Sequence, residues 1–182
     1  GYDSAGICIG QDHTLHTRRA VGRISVLEAA LEHAQTQLPA GHIGMAHTRW
    51  ATHGAPTECN AHPHMDDKNK IALVHNGIIE NYSTLKQFLI EKGHTFSSQT
   101  DTEVLAMLIA HFYKPADKQA EPGADGERSA LTKAVQAALH ETRGTYGIAV
   151  MAADEPSTLV VARRGSPLII GVGNGEYIVA SD

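Results

Sequence analysis

Apolar and polar positions alternate in short runs at both ends of the chain and fall at helical spacing in its middle. "SAGICIG" (residues 4–10) and "TLHTRRA" (14–20) flank the polar "QDH", a spacing that predicts a hairpin with a short loop. Val26, Leu27, Ala30, Leu31 and Ala34 recur with a helical period over residues 24–38, and Pro39-Ala40-Gly41 ends that segment. "HIGMAHTR" (42–49) and "IALVHN" (71–76) read as strands. The polar loop between them, rich in Pro, His and Asn, is about twenty residues long, which marks it as a functional loop.

Residues 81–93 form an amphipathic pattern closed by Gly93 at the position following a helix C-terminus. Residues 100–114 open with "TDTE", in which Thr100 or Asp101 can cap and Glu103 can reach back. Residues 114–128 are rich in Pro, Gly and charge and read as a surface insertion, and 129–142 are a further helix. "TYGIAVMA" and "STLVVARR" around "ADEP" predict one antiparallel hairpin, and "PLIIGVG" with "EYIVAS" predicts another. Strands at both ends, helices between and no βαβ alternation point to an α+β fold of antiparallel sheets with helices on their faces.

Bulk properties then narrow the function classes. The chain has 182 residues, 42% of them apolar, enough for one domain with a sizeable core. Its net charge is -5 and its densest basic run is the pair Arg163-Arg164, which argues against a nucleic-acid partner. No apolar run approaches the roughly 20 residues that span a bilayer, and the first residues lack the basic and apolar regions of a signal peptide. Cys8 lies in an apolar strand and Cys59 in a polar loop; they form no disulfide framework, so a reduced, cytoplasmic protein is expected. Gly1 is not an initiator Met, and the chain closes directly after an apolar strand pattern, so both ends are read as cut.

Several short stretches carry chemistry-bearing side chains. In "HTRWATHG" (47–54), Arg49 at a strand end can grip a carboxylate through two parallel bonds, with Thr52 and His53 as further donors and Trp50 as an apolar wall. Equally, Arg49 can pair with a structural acid while Trp50 packs. In "HNGIIEN" (75–81) a strand is expected to end and a helix to begin. There the Asn76 side-chain amide and the backbone at Gly77 can form an oxyanion hole, and Asn-Gly is also a common turn. Asp101 can cap a helix or hold an ammonium group. The histidines around His62-Pro63-His64 lack the spacing of a metal motif, and "GVGNG" (171–175) precedes a strand pattern where a phosphate loop needs a helix. Neither a metal nor a cofactor is expected.

Taken in order, "GYDSAG", "GMAHTRWATHG", "NAHPH", "VHNGIIEN", "TDTEV", "GTYG", "RRGSPL" and "ASD" resemble the glutaminase domains of the glutamine–fructose-6-phosphate aminotransferase (glucosamine-6-phosphate synthase) family, over the whole chain. The resemblance implies an N-terminal-nucleophile fold, a four-layer αββα sandwich of two antiparallel sheets. It implies attack on the side-chain amide of L-glutamine by an N-terminal cysteine whose own α-amine, with a typical pKa near 8, is the base. The released ammonia would convert fructose 6-phosphate to glucosamine 6-phosphate in a separate sugar isomerase domain. By the same resemblance Arg49 meets the glutamine carboxylate with help from Thr52 and His53. Trp50 gates the ammonia path, Asn76 and Gly77 form the oxyanion hole, and Asp101 accepts the α-ammonium. A homodimer formed through the second domain is also implied.

One departure accompanies the resemblance. The family's nucleophile stands upstream of the "GYDSAG" motif, and Cys8 and Cys59 both have acylated backbone nitrogens. The 182 residues are therefore read as a partial glutaminase domain that does not itself hydrolyse glutamine. A glutamine-binding pseudo-enzyme and another amidotransferase of the same fold, such as amidophosphoribosyltransferase, are the competing readings.

Overall fold

The computed structural model describes residues 3–33, 37–50, 54–115 and 128–181. In chain order its elements are β1 (Ser4–Gln11), β2 (Thr14–Val21), α1 (Ile24–Glu32), β3 (Ile43–Arg49), β4 (His64–Met65) and β5 (Ile71–Ile79). There follow α2 (Tyr82–Glu91), α3 (Asp101–Phe112), α4 (Ala130–Glu141), β6 (Gly144–Ala152), β7 (Leu159–Arg164), β8 (Ile169–Val172) and β9 (Tyr177–Ala180). The strands form a sheet in the order β2-β1-β3, a second in the order β4-β5-β6-β7, and the separate hairpin β8-β9; all of these strand pairs are antiparallel.

The period-two alternation of the strands sorts their side chains into layers. Cys8, Leu15 and Met45 of the first sheet meet Ala72, Met151 and Ala153 of the second, a narrow core of small and flexible side chains. On the opposite face of the second sheet Ile71, Leu73, Ile79, Ile148 and Val150 pack against α2, α3 and α4. Helix α1 covers the outer face of the first sheet through Leu27. The result is the expected four layers, helix, sheet, sheet, helices. Helix α3 sits in the middle of its layer and is buried at every position from Thr102 to Ile109, so it presents no polar face to water.

Three local expectations need correction. Helix α1 stops at Glu32, where His33 turns to extended dihedrals; residues 34–36 of the expected segment lie outside the described residues. Asn76-Gly77 does not end β5: the strand runs on to Ile79, with Gly77 opposite Tyr146 and Ile79 opposite Gly144. Glu103 does not reach back to Thr100. Thr100 caps α3 by accepting from the Glu103 N–H at 3.2 Å, while the Glu103 carboxylate takes Ser97 and Ser98 instead. Most of the expected insertion, residues 116–127, lies outside the described residues.

Candidate active site

The site grows from the facing ends of β3 and β5. Arg49 is the last residue of β3 and lies opposite Ser4, and its carbonyl accepts from the Asp3 N–H at 3.0 Å. Although charged, Arg49 is only 5% exposed. Its guanidinium donates to the carbonyls of Ala55 at 3.5 Å and Gly54 at 3.4 Å, so it also holds the loop that follows. Burial pulls its pKa down and the Asp3 and Asp101 carboxylates pull it back up, and a guanidinium stays charged in either case. Asn60 pins the same loop from the other side, donating to Ala55 at 2.9 Å and accepting from the Gln99 N–H at 3.0 Å just ahead of α3. Trp50 is 73% exposed, which removes simple packing as its explanation. Thr52 and His53 lie outside the described residues.

The second component comes from the continuation of β5. Because the strand does not turn at Asn76, alternation persists: Leu73, His75 and Ile79 face the helices, and Asn76 faces the other sheet. Asn76 Oδ1 lies 2.7 Å from His47 Nε2, joining the two sheets. Small Gly147 stands across from Asn76. Gly77 has φ +141, a region L side chains rarely enter, and a Cβ there would collide with the Thr145 carbonyl oxygen. Glycine is therefore required by the close approach of β6, not by a turn.

The third component is Asp101, the first residue of α3. Thr100, not Asp101, caps this helix. Asp101 Oδ2 accepts from the Ile79 N–H at 2.8 Å. The carboxylate is thus fixed to the end of β5, within electrostatic reach of Arg49.

Behind these residues lies a layer of buried histidines whose importance was not foreseen. The His75 N–H donates to His62 Nδ1 at 3.4 Å, which leaves the His62 Nε2–H to donate to Thr102 Oγ1 at 3.4 Å. Thr102 in turn donates to His75 Nδ1 at 3.1 Å, and the His75 Nε2–H donates to the Thr145 carbonyl at 3.3 Å. With the Thr102 hydrogen given to His75 Nδ1, both imidazoles are neutral. Burial pushes the pKa of His62 and of His75 down, and takes His64 down to about 3, so neutrality is their state at physiological pH. Their signal in the sequence is the "NAHPH" motif together with His75, whose spacing is not that of a metal motif. Among the described residues no group of three ligating side chains is arranged for one.

Glu103 completes the scaffold. It accepts from the Ser97 N–H and hydroxyl, both at 2.8 Å, and from the Ser98 N–H at 2.8 Å and hydroxyl at 2.7 Å. Burial alone would raise its pKa, and these four bonds overcome that and hold it below the usual range. A depressed carboxylate contributes stability above its unfolded pKa and loses it as pH falls through the folded pKa. Glu103→Gln is accordingly expected to lower Tm by about 5 °C at neutral pH. The gap to wild type should close on acidification in a thermal-melt series, a difference that cancels the shared histidine contribution.

Residues 47–182 match the model of the glutamine amidotransferase domain family. The whole chain is 44% identical to the glutamine–fructose-6-phosphate aminotransferase (isomerizing) of Clostridium perfringens, of which it spans 27%. It is 47% identical to that of Thermococcus kodakarensis and 49% identical to that of Pseudomonas putida, spanning 28% and 27% of their lengths. The chain therefore corresponds to about a quarter of these relatives. Among solved structures, the glutamine phosphoribosylpyrophosphate amidotransferase of B. subtilis, complexed with ADP and GMP, superposes with a TM-score of 0.74. The identity is 27%, over all of this chain and 36% of that one. A structure described as the allosteric regulatory enzyme of purine biosynthesis matches at 0.75, with 28% identity over 36% of its length. The four-layer architecture is thus the N-terminal-nucleophile fold. By its sequence match and its fold, the chain belongs to the glutamine amidotransferase domain family.

Proposed function

We propose that this site binds L-glutamine and, in the longer protein, splits its side-chain amide into glutamate and ammonia. The observation that carries the reading is the meeting of a buried cation, an amide held across two sheets and a fixed carboxylate. Arg49 of β3 and Asp101 of α3 lie within electrostatic reach of each other, and Asn76 of β5 is joined to β3 through His47, two residues before Arg49. Arg49 takes the α-carboxylate and Asp101 the α-ammonium, so the two charged ends orient the molecule and its amide carbon lies at Asn76–Gly77. Thr52 and His53 assist at the carboxylate, and exposed Trp50 gates the route by which ammonia leaves.

The reaction follows from charge. A thiolate attacks the amide carbon, a C–S bond forms, and the carbonyl oxygen becomes an oxyanion. The Asn76 Nδ2 amide and the Gly77 N–H stabilise it. The C–N bond breaks as the nitrogen takes a proton and leaves as ammonia, and water then hydrolyses the thioester to glutamate. Neither cysteine in this chain suits the role of nucleophile. Cys8 is fully buried and burial raises its pKa, and the exposed Cys59 has no free amine to serve as base. The nucleophile is the N-terminal cysteine that the family resemblance places upstream of residue 1. The ammonia serves the conversion of fructose 6-phosphate to glucosamine 6-phosphate in a homodimeric partner-domain arrangement, for which the identities of 44–49% to aminotransferases, against 27–28% to the purine enzymes, are the support. No described helix is long and apolar enough to cross a membrane, and unpaired thiols suit a cytoplasmic setting.

Asn76→Ala tests the reading directly. In the full-length protein it should lower kcat for glutamine hydrolysis by about 100- to 1,000-fold, the effect of losing one oxyanion donor, with KM nearly unchanged. A coupled glutamate assay reads this, and an unaltered kcat would remove Asn76 from the chemistry.

A further inference from the structure

An asparagine amide can present either of its ends to an oxyanion. The Nδ2 hydrogens stabilise the negative charge; the Oδ1 lone pairs repel it. A rotation of the amide plane exchanges the two with almost no change in shape, so something must fix the choice. The neighbour in contact with Asn76 is His47, on the facing strand and two residues before Arg49.

His47 is well built for that task. Its Nε2 lies 2.7 Å from Asn76 Oδ1. A carbonyl oxygen only accepts, so the ring nitrogen at this distance must carry the hydrogen. The ring is stacked on His62, with centroids 4.2 Å apart and planes 21° apart, which prevents it from turning away. His47 Nδ1 is buried with no hydrogen-bond partner. The contact to an acceptor oxygen places the hydrogen on Nε2. Burial of the ring favours the neutral form over the imidazolium, against the smaller raising effects of the Asn76 side chain and the His75 backbone.

We propose that His47 is a positioning residue: its Nε2–H anchors Asn76 Oδ1 and thereby aims the Asn76 Nδ2 hydrogens at the oxyanion. The inference rests on the assignment of Asn76 to the oxyanion hole. The histidine touches no substrate atom and works only through the orientation of the amide. Flipping that amide against an Nε2–H would set two donors against each other, a mismatch that makes the wrong orientation rarer by roughly tenfold to a hundredfold.

The test is a double-mutant cycle in the full-length protein, followed by steady-state glutaminase kinetics. His47→Leu should lower kcat by about 10- to 100-fold with glutamine KM within about threefold. His47→Gln, whose terminal amide nitrogen reaches the place of Nε2, should restore most of the loss. In an Asn76→Ala background His47→Leu should change kcat by less than about twofold, because the group it acts through is gone. A wild-type kcat for His47→Leu would overturn the proposal, and so would an undiminished loss in the Asn76→Ala background. If Asn76→Ala itself left kcat unchanged, the oxyanion assignment would fall first and the proposal with it. A measurement independent of variant folding is the long-range nitrogen NMR spectrum of the wild-type imidazoles. It should show His47 protonated at Nε2, and protonation at Nδ1 would overturn the proposal.

Discussion

Gly77→Ala is expected to damage stability and catalysis together. The new methyl group would be driven into the Thr145 carbonyl oxygen at a φ of +141, so β5 or β6 must move. A forced shift of this kind costs roughly 3 kcal/mol, or about 6–12 °C in Tm for a domain of this size. The same displacement moves the Gly77 N–H and the adjoining Asn76 away from the amide carbon, and kcat should fall by about 100-fold or more even below the new Tm. Thermal melts and kinetics on the same preparation separate the two effects. A stable, fully active Gly77→Ala protein would mean that neither the packing argument nor the oxyanion assignment holds.

Arg49→Ala is expected to act on binding instead. Removing a buried guanidinium from a carboxylate costs about 2–4 kcal/mol, which appears as a rise in glutamine KM of about 30- to 1,000-fold with a smaller change in kcat. Because Arg49 also holds the carbonyls of Gly54 and Ala55, some loss of loop order will accompany the substitution. Arg49→Lys controls for this: it keeps the charge and loses the two-pronged geometry, and should recover only part of the affinity.

The strands and helices were legible because their periodicities are strong. The alternation of β1 and β6 and the helical spacing of α2 and α4 survive in the structure almost residue for residue. What the local pattern concealed was decided by tertiary contact. Asn76-Gly77 has the chemistry of a turn, and only the approach of Thr145 from β6 shows that the glycine is needed inside a continuous strand. Glu103 has the spacing of a capping box, but Ser97 and Ser98 compete successfully for its carboxylate because the preceding loop folds back over the start of α3. In the site, Arg49, Asn76 and Asp101 stood out by residue type. The histidines behind them did not, since a His-rich loop looks the same whether it is to bind metal or to relay hydrogen bonds. Pairing His47 with Asn76 requires the packing of one sheet on another, which no linear spacing encodes.

The central claim is that Arg49 holds the carboxylate end and Asp101 the ammonium end of glutamine. Comparing L-glutamine with glutaramic acid, which lacks the α-amine, and 4-aminobutanamide, which lacks the α-carboxylate, tests it most directly. Glutaminase kcat/KM of the full-length wild type, Arg49→Ala and Asp101→Asn would be measured on all three. The account predicts that Arg49→Ala loses activity on glutamine and glutaramic acid but hardly on 4-aminobutanamide, and that Asp101→Asn loses it on glutamine and 4-aminobutanamide but hardly on glutaramic acid. Equal losses on all three substrates for either variant would contradict it.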